Sequence, residues 1–223
     1  MFTDREQAGK RLAARLADMQ IENPVVLALP RGGVPVGAEV SQALNAPLGL
    51  LLVRKIGVPF QPELAAGAVV DGDEPGVIIN DDVVRATGMS QSDIDSAVAK
   101  NLAEIERRRS VYYGENQPLD VAGKSVIVVD DGIATGATMK AGLKGLRRRN
   151  PARTILAVPV APAETLDELG PEVDDIVCLE TPAPFFAIGA HYIDFRQLSD
   201  DEVSSLLDVF RQQQAEEPTN GSG

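Results

Sequence analysis

Two adjacent aspartates, Asp130 and Asp131, stand at the end of an unbroken apolar run, Val126, Ile127, Val128 and Val129. A loop of small residues and hydroxyls follows: Gly132, Ile133, Ala134, Thr135, Gly136, Ala137 and Thr138. Such a loop, leading into a helix, aims backbone N–H groups at one spot and adds the positive end of the helix dipole. Gly132 and Gly136 let the backbone approach an anion closely, and Thr135 and Thr138 offer hydroxyl donors. That chemistry suits a phosphate monoester. The aspartates repel a phosphate, so their place is on its rim, where carboxylates accept hydrogen bonds from vicinal hydroxyls. Phosphate on one side and a diol on the other describe a ribose 5-phosphate group.

These residues need a frame. Four β-branched residues in a row read as a strand buried on both faces, as in a parallel sheet between helical layers. Behind the loop, Ala141, Leu143 and Leu146 carry helical spacing, and Arg147, Arg148 and Arg149 close the helix. The same arrangement occurs earlier. An apolar strand at 25–29 runs into Pro30, Arg31, Gly32 and Gly33, then into a helix with Val36, Val40, Ala43 and Leu44 on one face. This is a second anion-binding corner by the same physics, and the Arg31 guanidinium is a planar fork of donors suited to phosphate oxygens. Residues 48–53 read as a further strand, with Arg54 and Lys55 at its end, where ligands gather in open α/β sheets.

The rest of the chain supplies the layers. Thr3 and Glu6 suggest a capping box for an opening helix over 3–16. Residues 56–80 read as a loop and short hairpin turning near 71–76, with Glu63 in the loop. A helix over 81–87 ends at Gly88, and a longer one capped by Ser90 and Asp93 runs to about 110, closing on Arg107, Arg108 and Arg109. Those arginines suit a helix C-terminus, with a basic segment closing on a polyanion as the alternative. Strands at 154–160 and 175–179 and a final helix capped by Ser199 and Glu202 complete the pattern.

Composition narrows the function classes. The 223 residues carry 33 acidic against 21 basic side chains, a net charge of −12, which counts against a long nucleic-acid footprint. No apolar run approaches the roughly 20 residues a membrane span needs, and residues 1–7 do not read as a secretory signal. One cysteine, Cys178, excludes an internal disulfide and suits a reducing cytoplasm, as a buried inert thiol. One histidine, His191, beside one cysteine leaves no structural zinc site. Neither the dinucleotide fingerprint nor the nucleoside-triphosphate loop is present.

The run from Asp130 to Thr138 resembles the 5-phosphoribosyl-1-pyrophosphate (PRPP) motif of the type I phosphoribosyltransferases. The stretches containing Pro30–Arg31–Gly32–Gly33, Arg54–Lys55–Ile56 and Pro62–Glu63–Leu64 extend the likeness over most of 2–205, to uncharacterised bacterial and archaeal members. The resemblance implies a transferase moving the 5-phosphoribosyl group of magnesium-bound PRPP to a nitrogen acceptor, with release of pyrophosphate. It assigns residues 132–138 to the 5-phosphate, Asp130 and Asp131 to the ribose, and Arg31, Gly32, Gly33 and Lys55 to pyrophosphate, with a cis peptide near Arg31. It also implies a flexible loop after residue 55, in which Glu63 could serve. A looser likeness to the purine-salvage branch makes Phe186 the base-stacking residue and Asp194 the magnesium ligand. The lysine with which that branch reads a purine is missing from 158–163.

The expectation is one α/β domain over 1–211: a parallel sheet flanked by helices, with a small hood from about 1–20 and 180–211 and a disordered tail over 212–223. The partners expected are PRPP and a small nucleobase-like acceptor, with no nucleic acid and no membrane, and a homodimer is compatible. A PRPP-binding regulator with little or no catalysis is the second reading.

Overall fold

The computed structural model describes residues 1–59, 61–72, 75–114 and 117–216, with the backbone alone at 62, 63 and 212–216. The elements run α1 (Arg5–Ala17), β1 (Pro24–Ala28), α2 (Gly33–Leu44), β2 (Leu48–Leu50), β3 (Val53–Val58), β4 (Gln61–Val70), β5 (Gly76–Ile79), α3 (Asp81–Thr87) and α4 (Gln91–Tyr113). They continue with β6 (Ser125–Val129), α5 (Ala137–Arg147), β7 (Arg153–Val160), α6 (Ala163–Leu169), β8 (Asp175–Glu180) and α7 (Asp200–Glu216).

The core is a five-stranded parallel sheet in the order β2-β1-β6-β7-β8. Its strands are apolar throughout because both faces are covered. Val26, Ala28, Ile127, Val129, Ile155 and Ala157 pack with α1, α2, α4 and α7. The alternate residues Val25, Leu27, Val126, Val128, Leu156 and Val158 pack with α5 and α6. β6 is the central strand, and Ala28 of β1 lies opposite Val129. The loops leaving these two neighbours therefore emerge side by side at the same edge of the sheet.

Residues 48–53 differ from expectation. They are not one strand: β2 stops at Leu50, and β3 starts at Val53 in a second, antiparallel sheet β3-β4-β5. Leu51 and Leu52 are both buried, but in different cores, so the apolar run carries the chain from one sheet to the other without a break. The region read as a loop and short hairpin belongs to this second sheet, with β4 ending at Val70 and β5 starting at Gly76. Small residues on α5 bring it close: a Cβ at Gly145 would lie 2.6 Å from Val70 Cγ1, and one at Gly142 would lie 3.0 Å from Leu51 Cδ2. The Glu63 side chain lies outside the described residues.

Helix ends follow local chemistry. Ser90 and Asp93 form the expected capping box, Gly88 closes α3 in the left-handed region, and Ser199 and Glu202 exchange hydrogen bonds before α7. At α1 the cap is Asp4 rather than Thr3. Its carboxylate accepts from the Gln7 amide at 2.8 Å, and Gln7 Oε1 accepts from the Thr3 amide at 2.7 Å. Helix α7 continues to Glu216, and residues 217–223 lie outside the described residues. Among the described residues no helix is long and apolar enough to cross a membrane.

The first residues zip onto the segment after β8. Phe2 donates to His191 at 2.7 Å and accepts from Ile193 at 2.9 Å, and its fully buried ring packs tilted against Tyr192 with centroids 5.3 Å apart.

Candidate functional site

The two loops expected to bind anions meet at the C-terminal edge of β1 and β6. The Leu29 amide donates to the Val129 carbonyl at 2.9 Å, extending the pairing beyond the strands. The turn that follows β1 then lies on the aspartates that follow β6. A Cβ at Gly33 would lie 2.7 Å from the Val129 carbonyl and 3.2 Å from Asp130 Oδ1. At Gly32 it would run into the Asp131 carboxylate. The peptide between Pro30 and Arg31 is cis, as the resemblance implies.

Residues 132–138 form the turn from β6 into α5. Ile133 is buried, and its amide donates to the Val160 carbonyl at 2.9 Å. Thr165 of α6 donates to the Ala134 carbonyl at 2.8 Å. Gly136 caps α5 with φ +71, a left-handed conformation for which glycine is suited. Ala134, Thr135 and Thr138 remain exposed around the helix N-terminus. The geometry is a fixed turn with open donors, which suits a phosphate.

The aspartates differ in their surroundings. Asp130 Oδ1 accepts from the Asp131 amide at 2.9 Å. The residue as a whole is partly exposed, yet protein packs densely around its carboxyl. Burial, with the neighbouring Asp131 charge adding to it, pushes its pKa well above the ordinary carboxylate range. Asp131 is 8% exposed. Burial raises its pKa too, and the Arg5 guanidinium opposes that rise. The pair thus holds a proton above the usual carboxylate range.

Two residues missed in the sequence complete this centre. Arg5 Nε donates to Asp131 Oδ2 at 2.8 Å, and Tyr192 donates its hydroxyl to the Asp131 carbonyl at 2.6 Å. Neither belongs to a motif, and nothing in their local sequence signals the contact.

Arg31 points toward α7, with Nη1 3.9 Å from Asp200 Oδ1. Arg107 Nη2 lies 3.6 Å from Asp200 Oδ2, and the Tyr112 hydroxyl donates to Asp200 Oδ1 at 2.6 Å. The arginine run divides: Arg107 and Arg108 grip Glu104, while Arg109 faces Asp71 at 3.6 Å. Of the amides expected to hold pyrophosphate, that of Gly33 already donates to the Leu29 carbonyl at 3.0 Å. Lys55 lies in the second sheet opposite Ala68, rather than at the end of a core strand, because the strand break at Leu51 diverts the chain.

Phe186 is 83% exposed, whereas Phe185 stacks on His191 with ring centroids 5.6 Å apart. Asp194 is exposed. Its Oδ1 accepts from the Arg196 amide at 3.1 Å, and it shares a shallow depression with Asp4, Arg5 and Glu6. No three His, Cys, Asp or Glu side chains converge on a metal position among the described residues. Magnesium often takes one or two protein carboxylates and otherwise phosphates and water, so an exposed Asp194 fits an ion that arrives with its ligand.

The chain is similar to known proteins along most of its length. A family model described as "Phosphoribosyl transferase domain" matches residues 2–192. Proteins from two strains of Mycobacterium tuberculosis, each named "Putative phosphoribosyl transferase", are 46% identical over 208 residues, 93% of this chain and 46% of theirs. The chain therefore spans about half the length of the curated relatives it matches. The crystal structure of TT1426 from Thermus thermophilus is similar with a TM-score of 0.80 at 38% identity, covering 94% of this chain and 98% of that one.

Proposed function

The chain belongs to the phosphoribosyl transferase domain family, and from that premise we propose that it transfers the 5-phosphoribosyl group of PRPP to a nitrogen acceptor. The observation that carries this reading is the contact of Gly32 and Gly33 with the Asp131–Asp130 pair. It sets a candidate pyrophosphate loop directly beside a candidate ribose site, with the phosphate turn continuing from the same aspartates.

The reaction breaks the bond from ribose C1 to pyrophosphate oxygen, and the electron pair leaves with pyrophosphate. The acceptor nitrogen supplies the pair for the new C1–N bond and loses its proton to solvent. Early bond breaking makes C1 oxocarbenium-like, as in glycoside chemistry. Residues 132–138 hold the 5-phosphate through the α5 N-terminus. Asp130 and Asp131 accept from the ribose hydroxyls, and their charge favours a positive ring. The Gly32 amide and Arg31 hold the leaving pyrophosphate, with Arg31 exchanging Asp200 for it. These contacts act by orientation and fixed electrostatics. Lys55 has the weakest support, because its strand belongs to the second sheet.

Asp194 would hold a magnesium ion arriving with PRPP, and that ion would supply charge neutralisation. Phe186 stacks on a nucleobase-like acceptor, and the segments at about 1–20 and 180–211 form a hood over the reacting carbon. The setting is a reducing cytoplasm, consistent with the free thiol of Cys178.

A specific observation favours a second reading, that of a PRPP-binding regulator. Asp131 and Arg31 both have protein partners already, Arg5 and Asp200. One experiment separates the two: pyrophosphate release from magnesium-PRPP across purines, pyrimidines and other nitrogen acceptors, with binding followed in parallel. Release with one acceptor supports the transferase. Binding without release from any acceptor supports the regulator, and failure to bind PRPP overturns both.

A further inference from the structure

We propose that Arg5 is a positioning residue for the transfer reaction, fixing the charge and plane of the Asp131 carboxylate that receives the ribose. The inference rests on the transferase reading above and extends the site to α1, 126 residues away in sequence.

The geometry makes Arg5 a built part of the site rather than a surface ion pair. Both side chains of the pair are 11% exposed, and Nε reaches Oδ2 at 2.8 Å. The guanidinium lies 4.0 Å above the Phe195 ring, and Nη1 donates to the Arg196 carbonyl at 2.9 Å. Three anchors therefore set its position. The Asp4 cap fixes the first turn of α1 from which it projects. On the other side, the Asp131 carbonyl accepts from Tyr192, which is packed in turn on Phe2 and on Phe195 at 5.0 Å.

The consequence is a carboxylate oriented before the ribose arrives. Oδ2 is held by Arg5 at 2.8 Å, and the Asp130 side chain bonds the same carboxylate. Exposed ion pairs contribute little, but a charge-assisted bond held at this degree of burial is strong and directional. Three groups set the charge of Asp131: Asp130 on its own turn, Arg5 from α1 and Tyr192 from the segment after β8. Arg5 alone among them is cationic. Without it, two buried carboxylates would face each other uncompensated, and Asp131 would take up a proton at higher pH.

Arg5→Gln and Arg5→Lys test this, the first removing the charge and the second keeping it. The measurements are magnesium-PRPP affinity and kcat/KM for PRPP from about pH 5 to 9, with thermal unfolding as a control. Arg5→Gln is expected to lose about tenfold to a hundredfold in both, with the acid limb displaced to higher pH. Arg5→Lys is expected to keep the wild-type limb and recover part of the loss. A folded Arg5→Gln with wild-type affinity, or with a loss but an unmoved limb, overturns the inference and leaves the transferase reading standing. A wild-type chain that does not bind PRPP overturns both. If Arg5→Gln does not fold, Arg5→Lys decides: a displaced limb in that charged variant also overturns the proposal.

Discussion

Gly32 lies directly against the carboxylate of Asp131, with no room for a Cβ between them. Its backbone is ordinary for any residue, at φ −62 and ψ −35, so sterics alone demand glycine. Gly32→Ala is expected to push the two loops apart, costing about 1–3 kcal/mol of stability and most of the PRPP affinity. Gly88→Ala is the matched control. Gly88 has φ +68 but nothing within 4 Å, so it should cost only the backbone penalty of about 1–2 kcal/mol and leave affinity intact. Denaturant unfolding and titration calorimetry on both variants decide the matter. Wild-type affinity in Gly32→Ala would remove the loop contact from the argument.

Asp130 is expected to weaken the fold while serving the reaction. Its folded pKa is raised by burial and by Asp131, above the roughly 3.9 of an unfolded aspartate. The sign follows: the stability linked to its protonation is complete below the unfolded value and is lost as pH rises through the folded one. Asp130→Asn removes that loss. The unliganded variant should melt higher than wild type at pH 8, by about 2–4 °C for each kcal/mol recovered, with the gap closing toward pH 4. Turnover should fall about tenfold to a hundredfold. A variant that melts at or below the wild-type temperature at pH 8 contradicts the charge assignment.

The same proton predicts a pH-dependent affinity. Ribose hydroxyls donate to ionised acceptors, so the proton held by the Asp130–Asp131 pair must leave when PRPP binds. Affinity should rise with pH, by up to about tenfold per unit below the pair's raised pKa. Calorimetry in buffers of different ionisation heat should register proton release. Binding heats independent of buffer would show that the pair is already fully ionised.

The parts of this site that were legible in the sequence are those lying close together along it. Val126 to Thr138 carries strand, carboxylates and phosphate turn in one stretch, and the parallel β1–β6 register then brings Arg31 and Gly32 alongside. Arg5 and Tyr192 were not legible, because their contacts with Asp131 depend on how distant segments pack and leave no local pattern. Lys55 was misplaced for a related reason. An apolar run shows that residues are buried, not which core receives them, so the break between Leu50 and Val53 was invisible. The hairpin turning near 71–76 was legible but its third strand β3 was not, and the small residues Ala65, Ala66, Gly67 and Ala68 of β4, with little β-propensity of their own, gave no sign of the longer sheet. Those same small residues let β4 lie against β5, since a Cβ at Gly67 would strike the Ile78 carbonyl.

Phe186 and Phe185 separate binding from packing. Phe186 is 83% exposed, and truncating a side chain so exposed usually changes stability by less than about 0.5 kcal/mol. Base–aromatic stacking is worth about 1–3 kcal/mol, so Phe186→Ala should raise the acceptor KM about fivefold to a hundredfold while leaving the PRPP affinity and the melting temperature unchanged. Phe185 is half-buried and stacked on His191, so Phe185→Ala should lower the melting temperature instead, with the smaller effect on the acceptor. Steady-state kinetics with the acceptor varied at saturating PRPP, beside thermal scans of both variants, distinguish the roles. If Phe186→Ala leaves the acceptor KM unchanged, the acceptor does not stack there, and the exposed ring belongs to some other surface of the protein.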